Sequence, residues 1–184
     1  MQRCAMTSVK VVLAATLAVS ATGQVRSSRD QQYCNEQYTY CVNVPSVGDV
    51  ERHEGDAPNH GITIRLSDPN ARAWTYAHWD AALLGSSQKA AVGRLETLLE
   101  DHPKADASIA PTMLEDLTAY RIRLSYNDNG QMAEELIIAY HPPRDKTQGP
   151  GVLYEIGLSC PKDNYPRDSK ILQTLVETFR RTGE

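Results

Sequence analysis

Five residues of the types that ligate metals or carry protons crowd one short stretch: Glu51, His53, Glu54, Asp56 and His60. A metal site needs three or four such groups converging, with neutral imidazoles and ionised carboxylates. His53-Glu54 does not open a helical zinc motif, because Ala57 stands where the second His would be, and Pro58 opposes a helix. The expectation is therefore a solvated acidic loop that binds without chemistry, with no metal and no cofactor. The rival is a metal-assisted hydrolase built on His53, Asp56 and His60, with His78 as a further ligand.

A second group lies along Arg72 to Trp79, where Trp74, Tyr76 and His78 alternate with Ala73, Thr75 and Ala77. Trp74, Trp79 and Tyr76 could line a ligand face, and His78 with Asp80 could shuttle a proton. Ordinary sheet packing and a structural His hydrogen bond compete with those uses. Arg121 and Arg123 could hold an anion, but cross-strand pairing with Glu135 is the expected use. No Gly-x-Ser-x-Gly elbow and no phosphate-binding glycine loop occurs in the sequence. No catalytic residue is assigned. The candidate binding set is Glu51, His53, Glu54, Asp56, His60, Trp74, Tyr76 and His78.

These groups must be carried by something, and the chain is long enough for one domain: 184 residues, 41% hydrophobic and 23% charged, with 11 Gly and 10 Pro. The formal charge of −4 gives no basic footprint for nucleic acid. At the front, Arg3 and Lys10 precede the apolar run Val11 to Ala21, and small residues follow. A charged start, a short apolar core and a small-residue end predict a secretory signal peptide over 1–23. The run is too short for a membrane span, which takes about 20 residues. Residues 24–36 read as a polar tether and 37–184 as the domain. The product is expected in the periplasm or the medium, with no membrane span after cleavage.

Three cysteines remain beyond the signal: Cys34, Cys41 and Cys160. An oxidising compartment permits one disulfide among three possible pairings and leaves one thiol. A straight strand would hold Cys34 and Cys41 roughly 23 Å apart, so their pairing, the one favoured, needs a turn at Asn35-Glu36-Gln37. The rival ties Cys160 to one of the early cysteines.

Period-two alternation predicts strands over Gln37–Val44, Ile62–Leu66, Arg72–Trp79, Ala119–Tyr126, Met132–Tyr140 and Val152–Leu158. A stripe of Ala91, Val92, Leu95, Leu98 and Leu99 predicts a helix capped by Ser86 or Ser87 and stopped by Pro103. A second helix starts at Asp168, carries Ile171, Leu172, Leu175, Val176 and Phe179 on one side, and finishes on Arg180 and Arg181. The hairpin register can be argued from side chains. A three-residue loop at 128–130 pairs Tyr120 with Ile138, Ile122 with Leu136 and Tyr126 with Met132, and sets Arg123 opposite Glu135. A two-residue turn would put the apolar sets on opposite faces. The fold expected is α+β: a mostly antiparallel sheet of about six strands with two packed helices.

A strand ending in Val44-Pro45, the late strand Tyr154-Glu155-Ile156-Gly157-Leu158 and the final helix Ile171 to Arg180 resemble small secreted domains of the PsbP/Mog1-like class. The resemblance implies a central antiparallel sheet flanked by helices and a binding or accessory role without catalysis. The partner would be another exported protein or a small ligand. One form is an inhibitor or immunity-type protein that makes contact through the loop 46–59; a structural envelope component is a further alternative.

Overall fold

The computed structural model describes residues 31–47, 49–53, 60–145 and 149–182. The expected signal segment, the tether residues 24–30, and Glu54 and Asp56 lie outside them. Ten strands and two longer helices follow in order: β1 (Gln31–Asn35), β2 (Tyr40–Val44), β3 (Asp49–His53), β4 (His60–Arg65), β5 (Arg72–Trp79), α1 (Ser87–Asp101), β6 (Asp106–Leu114), β7 (Leu117–Asn127), β8 (Gln131–His141), β9 (Val152–Pro161), α2 (Tyr165–Thr178) and β10 (Arg180–Arg181). The main sheet has seven strands in the order β3-β4-β5-β9-β8-β7-β6, every pair antiparallel. A smaller sheet runs β1-β2-β10.

The β7–β8 hairpin has the register that side-chain alternation demands: Tyr120 opposes Ile138, Ile122 opposes Leu136, Arg123 opposes Glu135 and Tyr126 opposes Met132. Asn129 and Gly130 both take positive φ in the connecting turn. Gly tolerates that conformation without a Cβ clash, and Asn is among the residues that visit it most readily.

Alternation splits the buried residues into two cores. Ile62, Ile64, Ala73, Ala77, Ile137, Ala139, Tyr154, Ile156 and Leu158 face the small sheet and α2. Trp74, Ile122, Leu124, Leu136, Ile138 and Leu153 face α1. Covering both faces explains why β8 and β9 are buried almost without interruption. In the first core the Tyr40 ring stacks on Phe179 with centroids 5.7 Å apart and meets Tyr154 edge-on, also at 5.7 Å. The Tyr154 hydroxyl donates to the Tyr38 carbonyl at 3.0 Å, which satisfies its polar end inside the protein.

Helix α1 starts as expected, its Ser86 hydroxyl accepting from the Lys89 amide at 3.3 Å. Ser87, the other candidate cap, instead ties the helix to the sheet. It donates to the Thr118 carbonyl at 2.6 Å and accepts from the Tyr140 amide at 2.8 Å. Helix α2 starts a turn earlier than expected, at Tyr165, because Pro166 suits a first turn. Asp168 is thus no cap; it is buried inside the helix and paired with Arg167 at 2.7 Å. Nor do Arg180 and Arg181 end α2: they form β10, opposite Cys41 and Tyr40. Arg181 pairs with Glu115 at 3.1 Å and Asp116 at 2.6 Å, which fastens the small sheet to the β6–β7 turn.

Part of the expected tether, Gln31–Asn35, is strand β1. Cys34 is the direct cross-strand partner of Cys41, and the two form a disulfide. The required turn occupies residues 36–39, with Thr39 at φ 50. Cys160 is a free, buried thiol whose pKa burial pushes up to about 11.

Candidate functional site

On the α1 side of the main sheet, period two places Thr63 and Arg65 of β4, Arg72, Trp74, Tyr76 and His78 of β5, Glu155, Gly157 and Ser159 of β9, and Glu134 of β8 on one face. Helix α1 packs on β6, β7 and β8 and leaves the β4–β5 end of this face uncovered. The result is a cleft of about 570 Å³, within the usual range of small-molecule sites. Arg65, Arg72 and Tyr76 line one side, Asp128, Asn129 and Tyr126 the other, and Ser159 lies between them along the sheet.

The floor begins at Gly157. A Cβ there would lie 2.2 Å from the Trp74 ring, so the missing side chain lets the indole lie across β9. Trp74 is 4% exposed, and its Nε1 donates to Glu155 at 2.8 Å. Arg94 of α1 reaches the same carboxylate at 3.3 Å, which couples the helix to the floor. The Arg72 guanidinium rests 5.6 Å from the centroid of the Trp74 ring, a cation–π arrangement. Tyr76 stacks beside Trp74 at 6.3 Å, and its hydroxyl shares a 2.6 Å hydrogen bond with Thr63.

The other wall is held by the C-terminal end of α1. The His102 ring stacks on Tyr126 with centroids 3.8 Å apart. The Tyr126 hydroxyl donates to Glu134 at 3.3 Å. Glu134 is 8% exposed, and burial raises its carboxyl above the usual carboxylate range, while Arg94 and Arg72 pull it partly back.

Of the residues predicted to bind, Tyr76 lines the cleft, and Trp74 is buried beneath it as the seat of Arg72. His78 lies further along the same face and its Nδ1 sits 3.1 Å from the Trp79 carbonyl. His60 points to the opposite face, its ring 5.1 Å from Tyr38 in the first core. Because His60 pairs with Ala77 across the ladder, alternation alone sends it and His78 to opposite sides of the sheet. These two imidazoles cannot share an ion there. The backbones of Glu51 and His53 lie in β3, opposite Thr63 and Gly61. No cluster of three or more potential ligands occurs among the described residues. Asp80, considered as a partner for His78, is buried and spends its carboxylate on the amides of Leu84 and Gly85 at 3.0 and 2.8 Å.

Arg72, Tyr126, Glu134 and Glu155 are the site residues that sequence reading missed. One signal was present: Glu134 sits inside the apolar series Met132, Leu136, Ile138, where a carboxylate is out of place. Arg121 and Arg123 pair with Glu135 as expected, at 3.1 and 3.0 Å, on the α2 side of the sheet.

No family profile matches the chain, and no curated protein does. Solved structures do. The solution structure of cyanobacterial PsbP (CyanoP) from Synechocystis sp. PCC 6803 matches with TM-score 0.59 at 14% identity, over 89% of this chain and 98% of that one. The crystal structure of LpqN, involved in cell envelope biogenesis of Mycobacterium tuberculosis, matches with TM-score 0.58 at 16% identity, over 86% of this chain and 88% of that one. The chain has a PsbP/Mog1-like fold. The expected α+β architecture is thereby shown, with a seventh strand in the main sheet and a second, smaller sheet. Among the described residues no helix is long and apolar enough to cross a membrane.

Proposed function

We propose that this is an exported binding protein that holds a small polar ligand in the cleft between the β4–β5 end of the sheet and the β7–β8 turn, and that it performs no chemistry on it. The observation that carries this reading is the construction of the cleft. Gly157, Trp74 and Glu155 fix one side and His102 fixes Tyr126 on the other, so Arg72, Tyr76 and Tyr126 are presented by strands braced from behind, and the turns add Asn70, Asp128 and Asn129 at the rim. Export rests on the charged, apolar and small-residue succession of residues 1–23, and the Cys34–Cys41 disulfide suits an oxidising compartment. This ligand-binding form uses Tyr76, supported from beneath by Trp74, rather than the segment 46–59 that a protein-contacting inhibitor would use.

Thermal melts against a panel of sugars, amino acids, organic acids and phosphate esters test it, because a ligand that binds only the folded state raises the Tm. The expected result is stabilisation of the wild type by one class, abolished in Asn70→Trp, which fills the exposed rim without entering the core. A panel that leaves the Tm unchanged, or stabilises both proteins equally, rejects the cleft as the site. Recovery of the protein outside the cytoplasm, beginning after Ala21 or Gly23, tests export separately.

A further inference from the structure

The charges that line the cleft are balanced and spread apart. Arg65 stands directly opposite Asp49 of β3, and direct cross-strand partners share a face. Arg72 is seated on the Trp74 ring and offsets the charge of the buried Glu134 carboxylate. Asp128 is the one acidic residue among the described lining residues; it lies in the β7–β8 turn, where the Asn129 amide donates to it at 3.3 Å. Strands β9 and β8 separate β5 from that turn, which keeps the Arg72 and Asp128 backbones about 10 Å or more apart. The rest of the lining both donates and accepts: the hydroxyls of Thr63 and Ser159 and the amides of Asn70 and Asn129. Each wall also carries one ring supported by another, Tyr76 beside Trp74 and Tyr126 against His102.

A ligand that meets both ends at once is elongated, carries no net charge, and donates and accepts along its length. A lone carboxylate or phosphate would use one end only. An amino acid holds both of its charges on one carbon. Linked sugar rings satisfy every requirement, because each hydroxyl both donates and accepts and the C–H faces of the rings pack on aromatic side chains. We propose that the ligand is a neutral oligosaccharide, a disaccharide or longer, with hydroxyls bonded to Arg72 and Ser159 at one end and to Asp128 and Asn129 at the other, and with Tyr76 and Tyr126 as platforms for its rings. This inference rests on the cleft being the binding site.

Amide-detected NMR titration of the purified protein with maltose, cellobiose, lactose and chitobiose tests it, with inorganic phosphate, citrate and dialanine as the competing classes. At least one disaccharide should move the amides of Ala71, Arg72, Gly130 and Ser159 in a saturable way, and equally in low and high salt, since no net charge is neutralised. Asp128→Ala should weaken that binding about tenfold or more. Arg72→Gln, which keeps an N–H donor and drops the charge, should cost less than about tenfold, whereas recognition of an anion would be lost with the charge. Glu96→Ala, the same charge change as Asp128→Ala on the exposed face of α1, should leave binding unaltered. Phosphate, citrate or dialanine moving these amides while no disaccharide does would overturn the ligand class and leave the cleft standing. Disaccharide binding that survives Asn70→Trp would put the sugar elsewhere and overturn both readings. No response to any probe would overturn the oligosaccharide, and the metabolite panel would then decide the cleft independently.

Discussion

Two neighbouring glutamates on β8 are buried to similar depth on opposite faces of the same sheet and meet different fates. Glu135, 3% exposed, receives Arg121 at 3.1 Å, Arg123 at 3.0 Å and the Tyr165 hydroxyl. Glu134, 8% exposed, receives one phenol hydroxyl at 3.3 Å and feels Arg94 and Arg72 only from a distance. A buried carboxylate is tolerated when its charge and lone pairs are answered. Glu135 is fully answered, and it joins β7 to α2 by electrostatics. Glu134 is half answered, and it stands beside the cleft. The Tyr165 hydroxyl that bonds to Glu135 has its pKa raised to about 12, first by burial and then by the adjacent carboxylate.

The largest expected effect comes from breaking the answered side. Glu135→Ala leaves two guanidinium groups and the half-buried Tyr165 phenol without their acceptor. Arg121 and Arg123 can turn partly to solvent, being 35% and 56% exposed, so the loss falls at or below the low end for a disrupted buried pair, about 2–3 kcal/mol. Urea melts at neutral pH measure it. A loss under about 0.5 kcal/mol would mean that this cluster behaves like a surface ion pair and that the contrast with Glu134 is empty.

Next in size is Gly157→Ala, which strikes the cleft and spares Glu135. The new methyl would meet an indole rather than a flexible side-chain end, at 2.2 and 2.3 Å. Either Trp74 swings away or the strand shifts, at about 1–3 kcal/mol. If Trp74 moves, Arg72 loses its seat and Glu155 its indole donor. Tryptophan fluorescence should then change along with stability, and ligand binding should weaken although no cleft-lining atom has been removed. An unchanged spectrum at full stability would show that the floor is not set by Gly157.

The contrast between these two faces was only half legible in the sequence. Strict alternation in Tyr120–Tyr126 and Met132–Tyr140 fixed the hairpin and, with it, the Arg123–Glu135 partnership. The same alternation put Trp74 and Tyr76 on one face. What it could not supply was the neighbour of each strand. His60 and His78 read alike in the chain, and only the pairing of β4 with β5 separates their faces. Strand β6 was missed because it is an exposed edge containing Pro111, with no buried set of alternate residues to mark it. Strands β1 and β10 are short and largely polar and gain their order from β2. The cleft was hidden for the same reason: its walls come from β4, β5, β9 and the β7–β8 turn, which sequence places far apart.

The smallest effect, and the one of opposite sign, is expected at Glu134. Burial raises its folded-state pKa above the ordinary value of 4.5. Folding then favours the protonated form, so the contribution of this group to stability is complete below the unfolded pKa and is lost as pH rises through the folded one. Gln cannot titrate, yet its carbonyl oxygen still accepts from Tyr126. Glu134→Gln should therefore melt above the wild type at pH 7, and the two should converge as the pH is lowered toward 4. Glu135→Gln should melt below the wild type at pH 7, because a neutral amide gives up the two ion pairs with Arg121 and Arg123. Melts of both variants from pH 4 to 8 make the comparison directly. If Glu134→Gln destabilises at pH 7, Arg72 and Arg94 answer that carboxylate after all, and the cation at the cleft is committed to Glu134 instead of to a ligand.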